Sequence, residues 1–209
     1  MKNIINSLPI HTLSHLFKGS SEFLKKLNID NVSVWSVTPV IDSINICNII
    51  KTYITSECTI TDMTACIGGD TIRFAQNFKN INAIELSKTR CNFLRRNVEL
   101  YKLKNVKIYE GNSINIIKNL KQDVIYIDPP WGGKNYKYKE NINLYLSKIP
   151  IYTICNNLKG CFKYLVLKVP YNFNLKKFKN NIMYDNIDIH RLESSDGKIK
   201  IKIIVINYL

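Results

Sequence analysis

From residue 59 onward the chain alternates short apolar runs with amphipathic stretches, and this alternation limits its fold more than any other feature. TITDM at 59–63 reads as a strand, followed by a Gly68-Gly69 turn and a helix over about 69–78. INAIE at 81–85 is a second strand, followed by a helix over about 87–102. VKIYE at 106–110 precedes a helix near 113–120, and DVIYI at 123–127 precedes a helix within 141–158. YLVLKVP at 164–170 and two runs near 184–191 and 199–207, around a turn at Ser194–Gly197, complete the set. Strands alternating with helices predict parallel βαβ units, here an α/β fold with a central, mostly parallel sheet and an antiparallel C-terminal strand. In such sheets ligands bind beyond the C-terminal strand ends. Asp62, Glu85, Asn112 and Asp128 all fall at or just after predicted strand ends, so one sheet edge is expected to gather them.

Ahead of this pattern, residues 1–55 read as a helical segment that packs on a core of 56–209 and closes the active site. Leu13, Leu16, Phe17, Phe23, Leu24 and Leu27 predict one helix over 10–27. Thr38 followed by Pro39 reads as a hydroxyl cap and a first-position proline, starting a helix that carries Val40, Ile41, Ile44, Cys47, Ile50 and Ile54.

The length of 209 residues suits one domain, and 45% hydrophobic residues suffice for a real core. No apolar run approaches a membrane span, and the N-terminus reads poorly as a signal peptide. Cys47, Cys58, Cys66, Cys91, Cys155 and Cys161 form no CxxC pair, so no metal site is expected. They read as small core residues of a chain in a reducing, intracellular setting. The net charge is +14, and ten lysines against one acid, Glu140, lie between Lys134 and Lys179. This local bias reads as a phosphate-binding face; a merely solvated basic surface is the plainer alternative.

Three loops then carry a small composite. Ala65, Gly68 and Gly69 after Asp62 let the backbone turn sharply and approach a ligand. A carboxylate at Glu85 can accept both hydroxyls of a ribose, or complement a helix N-terminus. Asn112, within Gly111-Asn112-Ser113, can reach an adenine or cap a helix. In this order, with Asp128-Pro129-Pro130-Trp131 after the fourth strand, the arrangement resembles class I S-adenosylmethionine methyltransferases. The resemblance implies a Rossmann-like core and S-adenosylmethionine as cofactor.

The Asp128–Trp131 loop suits methylation of an exocyclic amino group on a nucleic-acid base. Such a nitrogen is a poor nucleophile because its lone pair is delocalised into the ring. A carboxylate, Asp128, and the Pro129 carbonyl can accept its two N–H bonds and hold it closer to tetrahedral. The prolines stiffen the loop, and Trp131 offers a face for the base.

Four stretches are similar to the trimethylguanosine synthase family, enzymes that methylate N2 of the 7-methylguanosine RNA cap. They are Trp35-Ser36-Val37-Thr38-Pro39, the Asp62 to Ala75 turn, Asn97 to Tyr101, and Pro129 to Gly133 with Tyr136. The resemblance implies that Thr38, Asp62, Thr64, Ala65, Gly68, Gly69, Glu85, Leu86, Asn112, Ser113 and Asp128 line the cofactor. It implies that Asp128, Pro129 and Trp131 carry catalysis, with Trp131 stacked on 7-methylguanine. Trp35, Ser36, Asn97, Lys134, Tyr136, Lys168 and Pro170 are implied on the substrate side, with Tyr136 and a lysine such as Lys134 or Lys168 at the cap phosphates. Alternatives from the residues themselves are a core-anchoring Trp35, a capping Thr38 and an Asn97 that bonds backbone within its own helix. Animal members of the family tend to carry serine where Asp128 stands, and their Pro-Arg-Asn reads Pro170-Tyr171-Asn172 here.

The expected function is therefore cap guanine-N2 methylation on 5'-capped RNA by a monomer without metal or membrane, in the nucleus or cytoplasm, with a virus-encoded chain among the candidate sources. The competing readings are an amino-methyltransferase on an internal guanine or adenine of RNA or DNA, and a non-catalytic RNA-binding module on the same fold.

Overall fold

The computed structural model describes residues 2–184 and 186–207, with Lys134 described for its backbone only. The chain divides into two compact units, Met1–Asn119 and Leu120–Leu209.

The first unit opens with α1 (Ile10–Leu16), α2 (Ser21–Leu24), α3 (Ser33–Ser36) and α4 (Val40–Lys51). The single helix expected over 10–27 is thus two. Phe17 leaves α1 in extended conformation, and Ser20 starts α2 by accepting the Phe23 N–H. A side chain at Gly19 would lie 2.5 Å from the Phe23 ring, so the break is packed tightly. The unit continues with β1 (Thr59–Asp62), α5 (Gly69–Ala75), β2 (Asn80–Glu85), α6 (Lys88–Leu100), β3 (Val106–Glu110) and α7 (Ser113–Ile116). Its strands pair in parallel in the order β3-β2-β1, with Asp62 opposite Ala83 and Glu85 opposite Glu110. Leu13, Leu16, Phe17, Leu24, Leu27, Ile29 and Val37 share one core cluster with Ala65, Ile67, Ile72, Ala83, Phe93, Leu94 and Val98. The N-terminal helices are therefore built onto this unit by burial of their apolar faces.

The second unit runs β4 (Val124–Ile127), β5 (Tyr145–Leu146), β6 (Ile149–Pro150), α8 (Ile151–Asn157), β7 (Tyr164–Pro170), α9 (Leu175–Asn181), β8 (Ile187–Glu193) and β9 (Ile199–Asn207). β4 is buried along its whole length and β7 nearly so, as strands covered on both faces are. Their order is β4-β7-β9-β8. β4 and β7 are parallel; β9 is antiparallel to both β7 and β8. The closing pair forms the antiparallel edge, as expected: the last strand, β9, inserts between β7 and β8, and the outermost strand, β8, runs with β7. β8 carries exposed Asp188, Arg191 and Glu193, charges that suit an unpaired edge. All six cysteines are free thiols. Burial pushes the thiols of Cys47, Cys66 and Cys155 up to about 12, which suits unreactive core residues.

Candidate active site

In the first unit the residues expected at the cofactor are tied to one another. Asp62, at the end of β1, is buried; its Oδ1 accepts the Thr64 N–H at 3.1 Å and its Oδ2 the Thr71 hydroxyl at 2.6 Å. Ala65 donates its N–H to the Ile84 carbonyl. Glu85, at the end of β2, accepts the Cys66 N–H on Oε2 at 2.9 Å and the Ser87 N–H on Oε1 at 2.8 Å. Arg90 Nη1 stands 3.9 Å from Oε1, and Arg90 Nε is 3.4 Å from Asp30 Oδ2. Burial raises the Glu85 carboxyl above the usual carboxylate range, partly offset by the Ser87 N–H, Arg90 and the Cys66 N–H. The Gly111 N–H bonds the Glu85 carbonyl, which brings the Asn112 loop beside it. Asn112 caps α7 by accepting the Ile114 N–H on Oδ1, and Ser113 behind it is buried.

The glycines act through packing. Gly68 sits at φ +104°, and a Cβ there would lie 2.9 Å from Leu94 Cδ1; one at Gly69 would lie 2.7 Å from Val37 Cγ1. The turn is small because protein side chains close on it. Thr38 is not a helix cap. Its hydroxyl donates to buried Asp70 Oδ2 at 2.6 Å, and α4 starts after Pro39 with no side-chain cap. Asp70, which the sequence did not single out, thus locks the Val37-Thr38 segment over the turn.

These groups fit the nucleoside part of S-adenosylmethionine by the chemistry of the donor set. Glu85 is held rigid by two backbone donors, and each of its oxygens has a further lone pair for a ribose hydroxyl. Leu86 is 67% exposed directly after it, an apolar surface for an adenine. The Asn112 cap uses only Oδ1, which leaves the Nδ2 donors to serve a ring nitrogen.

In the second unit β4 delivers Asp128, and β7 sets Leu167 opposite Ile127, so Lys168 lies beside Asp128. Lys168 Nζ bonds Asp128 Oδ2 at 2.7 Å, with the two side chains 4% and 14% exposed. The ammonium also lies 5.2 Å from the centroid of the Trp131 ring. Tyr136 meets that ring edge-on, centroids 5.2 Å apart at 81°. Trp131 is half-buried, and its Nε1–H has no acceptor among the described residues. Pro129 is buried and Pro130 exposed. Gly132 and Gly133 follow at φ +89° and +73°, where any other residue is strained. Burial raises the Tyr136 phenol, helped by Tyr171 and Asp128 and opposed by Lys168.

The loop after Gly133 is pinned to the segment after β7. Asn172 Nδ2 donates to the carbonyls of Tyr136 at 2.8 Å and Lys139 at 2.6 Å, and the Tyr171 hydroxyl to the Lys137 carbonyl at 2.9 Å. Where the resembling family has arginine, Tyr171 therefore serves as a loop strut. The asparagine beside it was legible only as part of a tripeptide.

Several residues expected at the substrate stand elsewhere. Lys168 is buried against Asp128 and Trp131, which takes it away from the phosphate role. Trp35, by contrast, is 68% exposed, so it does not anchor the core and its ring is accessible. The exposed Ser36 hydroxyl bonds the Val32 carbonyl within α3. Asn97 is fully buried; it accepts the Asn28 N–H and donates to the carbonyls of Asn28 and Ile67. These bonds join the N-terminal segment, α6 and the turn after β1, and they replace both the substrate role and bonding within its own helix. Pro170 is buried at the end of β7 opposite Ile201. The side chain of Lys134 lies outside the described residues. Among the described residues no metal-binding cluster occurs, and no helix is long and apolar enough to cross a membrane.

The fold is that of class I methyltransferases. A methyltransferase structure from Porphyromonas gingivalis W83 superposes with a TM-score of 0.66 at 16% identity, covering 98% of this chain and 55% of that one. An S-adenosylmethionine-dependent methyltransferase structure from Streptococcus mutans gives 0.62 at 13% identity, covering 82% and 50%. An rRNA methylase structure from Streptococcus thermophilus gives 0.54 at 12% identity, covering 79% and 95%. Residues 57–208 match the RNA cap guanine-N2 methyltransferase family, and the chain belongs to that family. Its cofactor is S-adenosylmethionine, and the groups around Glu85 fit the nucleoside of that cofactor. The uncharacterized protein L320 of Acanthamoeba polyphaga mimivirus is 36% identical over 155 residues, which cover 72% of this chain and 58% of that protein. The chain thus spans less than two thirds of this relative's length.

Proposed function

We propose that the chain methylates the exocyclic N2 of 7-methylguanosine in an RNA 5' cap. The observation that carries this reading is the loop at the end of β4, where a carboxylate and a half-buried indole are held together in a chain of the cap guanine-N2 family. Bound S-adenosylmethionine supplies a cationic methyl group. Asp62, Glu85, Leu86 and Asn112 bind and orient its nucleoside, and the Thr38–Asp70 bond keeps the N-terminal segment over the glycine turn. Asp128 Oδ1 and the Pro129 carbonyl accept the two amino N–H bonds of the base, which localises the nitrogen lone pair. Trp131 stacks on the base and Tyr136 braces the indole. The work is positioning: the amino N–H becomes acidic only as the new N–C bond forms, and its proton passes to the Asp128 carboxylate that already accepts it.

Labelled methyl transfer to 7-methyl-GTP, GTP and ATP, measured side by side, tests this. Transfer to 7-methyl-GTP well above the other two is expected; equal rates sink the reading. A second reading, methylation of an internal base amine, draws on the exposed lysines of the 137–179 segment. Strong inhibition by free 7-methyl-GDP speaks for the cap enzyme and none for the internal one. The capped substrate places the protein where capped RNA is present, in nucleus or cytoplasm, and the mimivirus relative suits a virus-encoded chain.

A further inference from the structure

We infer that Lys168 sets how strongly the base site favours a cationic ring over a neutral one. The inference rests on the cap reading and names a residue that tunes it. Lys168 is the middle of an apolar strand, VLKVP, and is 3% exposed, a costly place for an ammonium. Among the groups that compensate it are two that face the base site. One is Asp128 Oδ2 at 2.7 Å, brought alongside by the parallel register of β4 and β7. The other is the π face of Trp131 at 5.2 Å.

Both compensations bear on the incoming base. An isolated Asp128 beside an open indole would form an anionic, π-rich site that prefers a cationic 7-methylguanine. Lys168 neutralises that carboxylate and already draws on the quadrupole of the same ring. A cationic base must therefore share the ring with the ammonium across it, or displace it. In either case Lys168 opposes a cation and leaves a neutral purine nearly untouched. Tyr136, edge-on to the ring, carries no charge that would reverse this. The same ammonium orients the carboxylate, which makes Lys168 a positioning residue as well.

Calorimetric binding of 7-methyl-GDP and GDP to the full chain tests the inference, with wild type, Lys168→Met, Lys168→Gln and Lys168→Arg compared. Glutamine keeps a donor for Asp128, so it covers the case in which methionine disrupts folding. S-adenosylhomocysteine binding reports that each variant is folded. In both neutral variants the preference for 7-methyl-GDP over GDP is expected to rise about tenfold, the factor that corresponds to ~1.4 kcal/mol. Arginine, which keeps the charge, is expected to stay within about twofold of wild type. A preference that is unchanged or lower in the folded neutral variants overturns the inference. So does an arginine variant that rises as far as they do, because packing would then be the cause. Wild type that binds neither nucleotide sinks the cap reading and this inference together. Wild type that binds both equally sinks the cap reading alone, because the rise in the neutral variants is still measurable.

Discussion

Asp128 and Trp131 belong to one loop but are expected to fail differently. Asp128→Ala removes an acceptor for the amino group and leaves Lys168 buried without its carboxylate. Turnover is expected to vanish while S-adenosylmethionine affinity, which the proposed site places mainly on Asp62, Glu85 and Asn112, holds within about twofold; a loss of cofactor affinity of tenfold or more contradicts the assignment. Trp131→Ala removes a stacking face worth roughly 1–3 kcal/mol, so cap-analogue affinity should fall about 5- to 150-fold. Full affinity in that variant removes the stacking role. Glu85 carries a pH signature. Burial raises its carboxyl, so its charged form is less favourable in the folded chain than in the unfolded one. Its contribution to stability is therefore complete in acid and is lost as pH rises from about 4 through the raised value. Urea denaturation at a series of pH values is expected to show this decline in wild type and not in Glu85→Gln. Equal pH dependence in the two contradicts it.

At the scale of elements, Asn97 shows how α6 holds its surroundings. One side chain satisfies three backbone groups, the Asn28 N–H and the carbonyls of Asn28 and Ile67. Asn97→Ala leaves all three in a buried place, and a loss of about 2–4 kcal/mol is expected in chemical denaturation, with weaker cofactor binding as the turn after β1 loosens. A loss under about 1 kcal/mol shows that water replaces the amide easily. This role was not legible in the sequence, because both partner segments are distant along the chain. The sheet strands were legible because each is a short run rich in β-branched and aromatic residues: VKIYE and YLVLKVP are observed over 106–110 and 164–170, as expected, whereas the two-residue strands β5 and β6 fall where only a helix was expected. The helices were less so. Gly19 splits the first, and α9 passed unnoticed because lysines and asparagines mask its apolar contacts, chiefly Phe178. At the site, the types and order of Asp62, Glu85, Asn112 and Asp128 were readable. The partners of Thr38 and Lys168 were not, since Asp70 and Asp128 reach them only through the fold. Lys168 in YLVLKVP was read as a candidate contact for the cap phosphates, when burial in the strand makes it the counter-ion of the acid on the neighbouring strand.

For the whole molecule the question is what the net charge of +14 does. Of the ten lysines between 134 and 179, Lys168 is buried, the Lys134 side chain lies outside the described residues, and the other eight are exposed. A surplus of this kind on one compact unit attracts a polyanion along its length, while the recognition of one base needs only the Asp128–Trp131 loop. The two contributions separate by salt. Each phosphate neutralised on a single strand adds roughly 0.7 to the slope of log affinity against log salt, so three contacts cost about 20-fold between 50 and 200 mM. A capped RNA of about ten nucleotides is therefore expected to lose at least tenfold in affinity over that range. 7-Methyl-GDP, with its two phosphates, should lose clearly less. Substituting Lys137 and Lys139 by Gln should flatten the slope for the long RNA and leave the free nucleotide unchanged. If the two ligands fall in parallel, the lysine-rich face has no part in holding the RNA and serves only to keep the protein in solution.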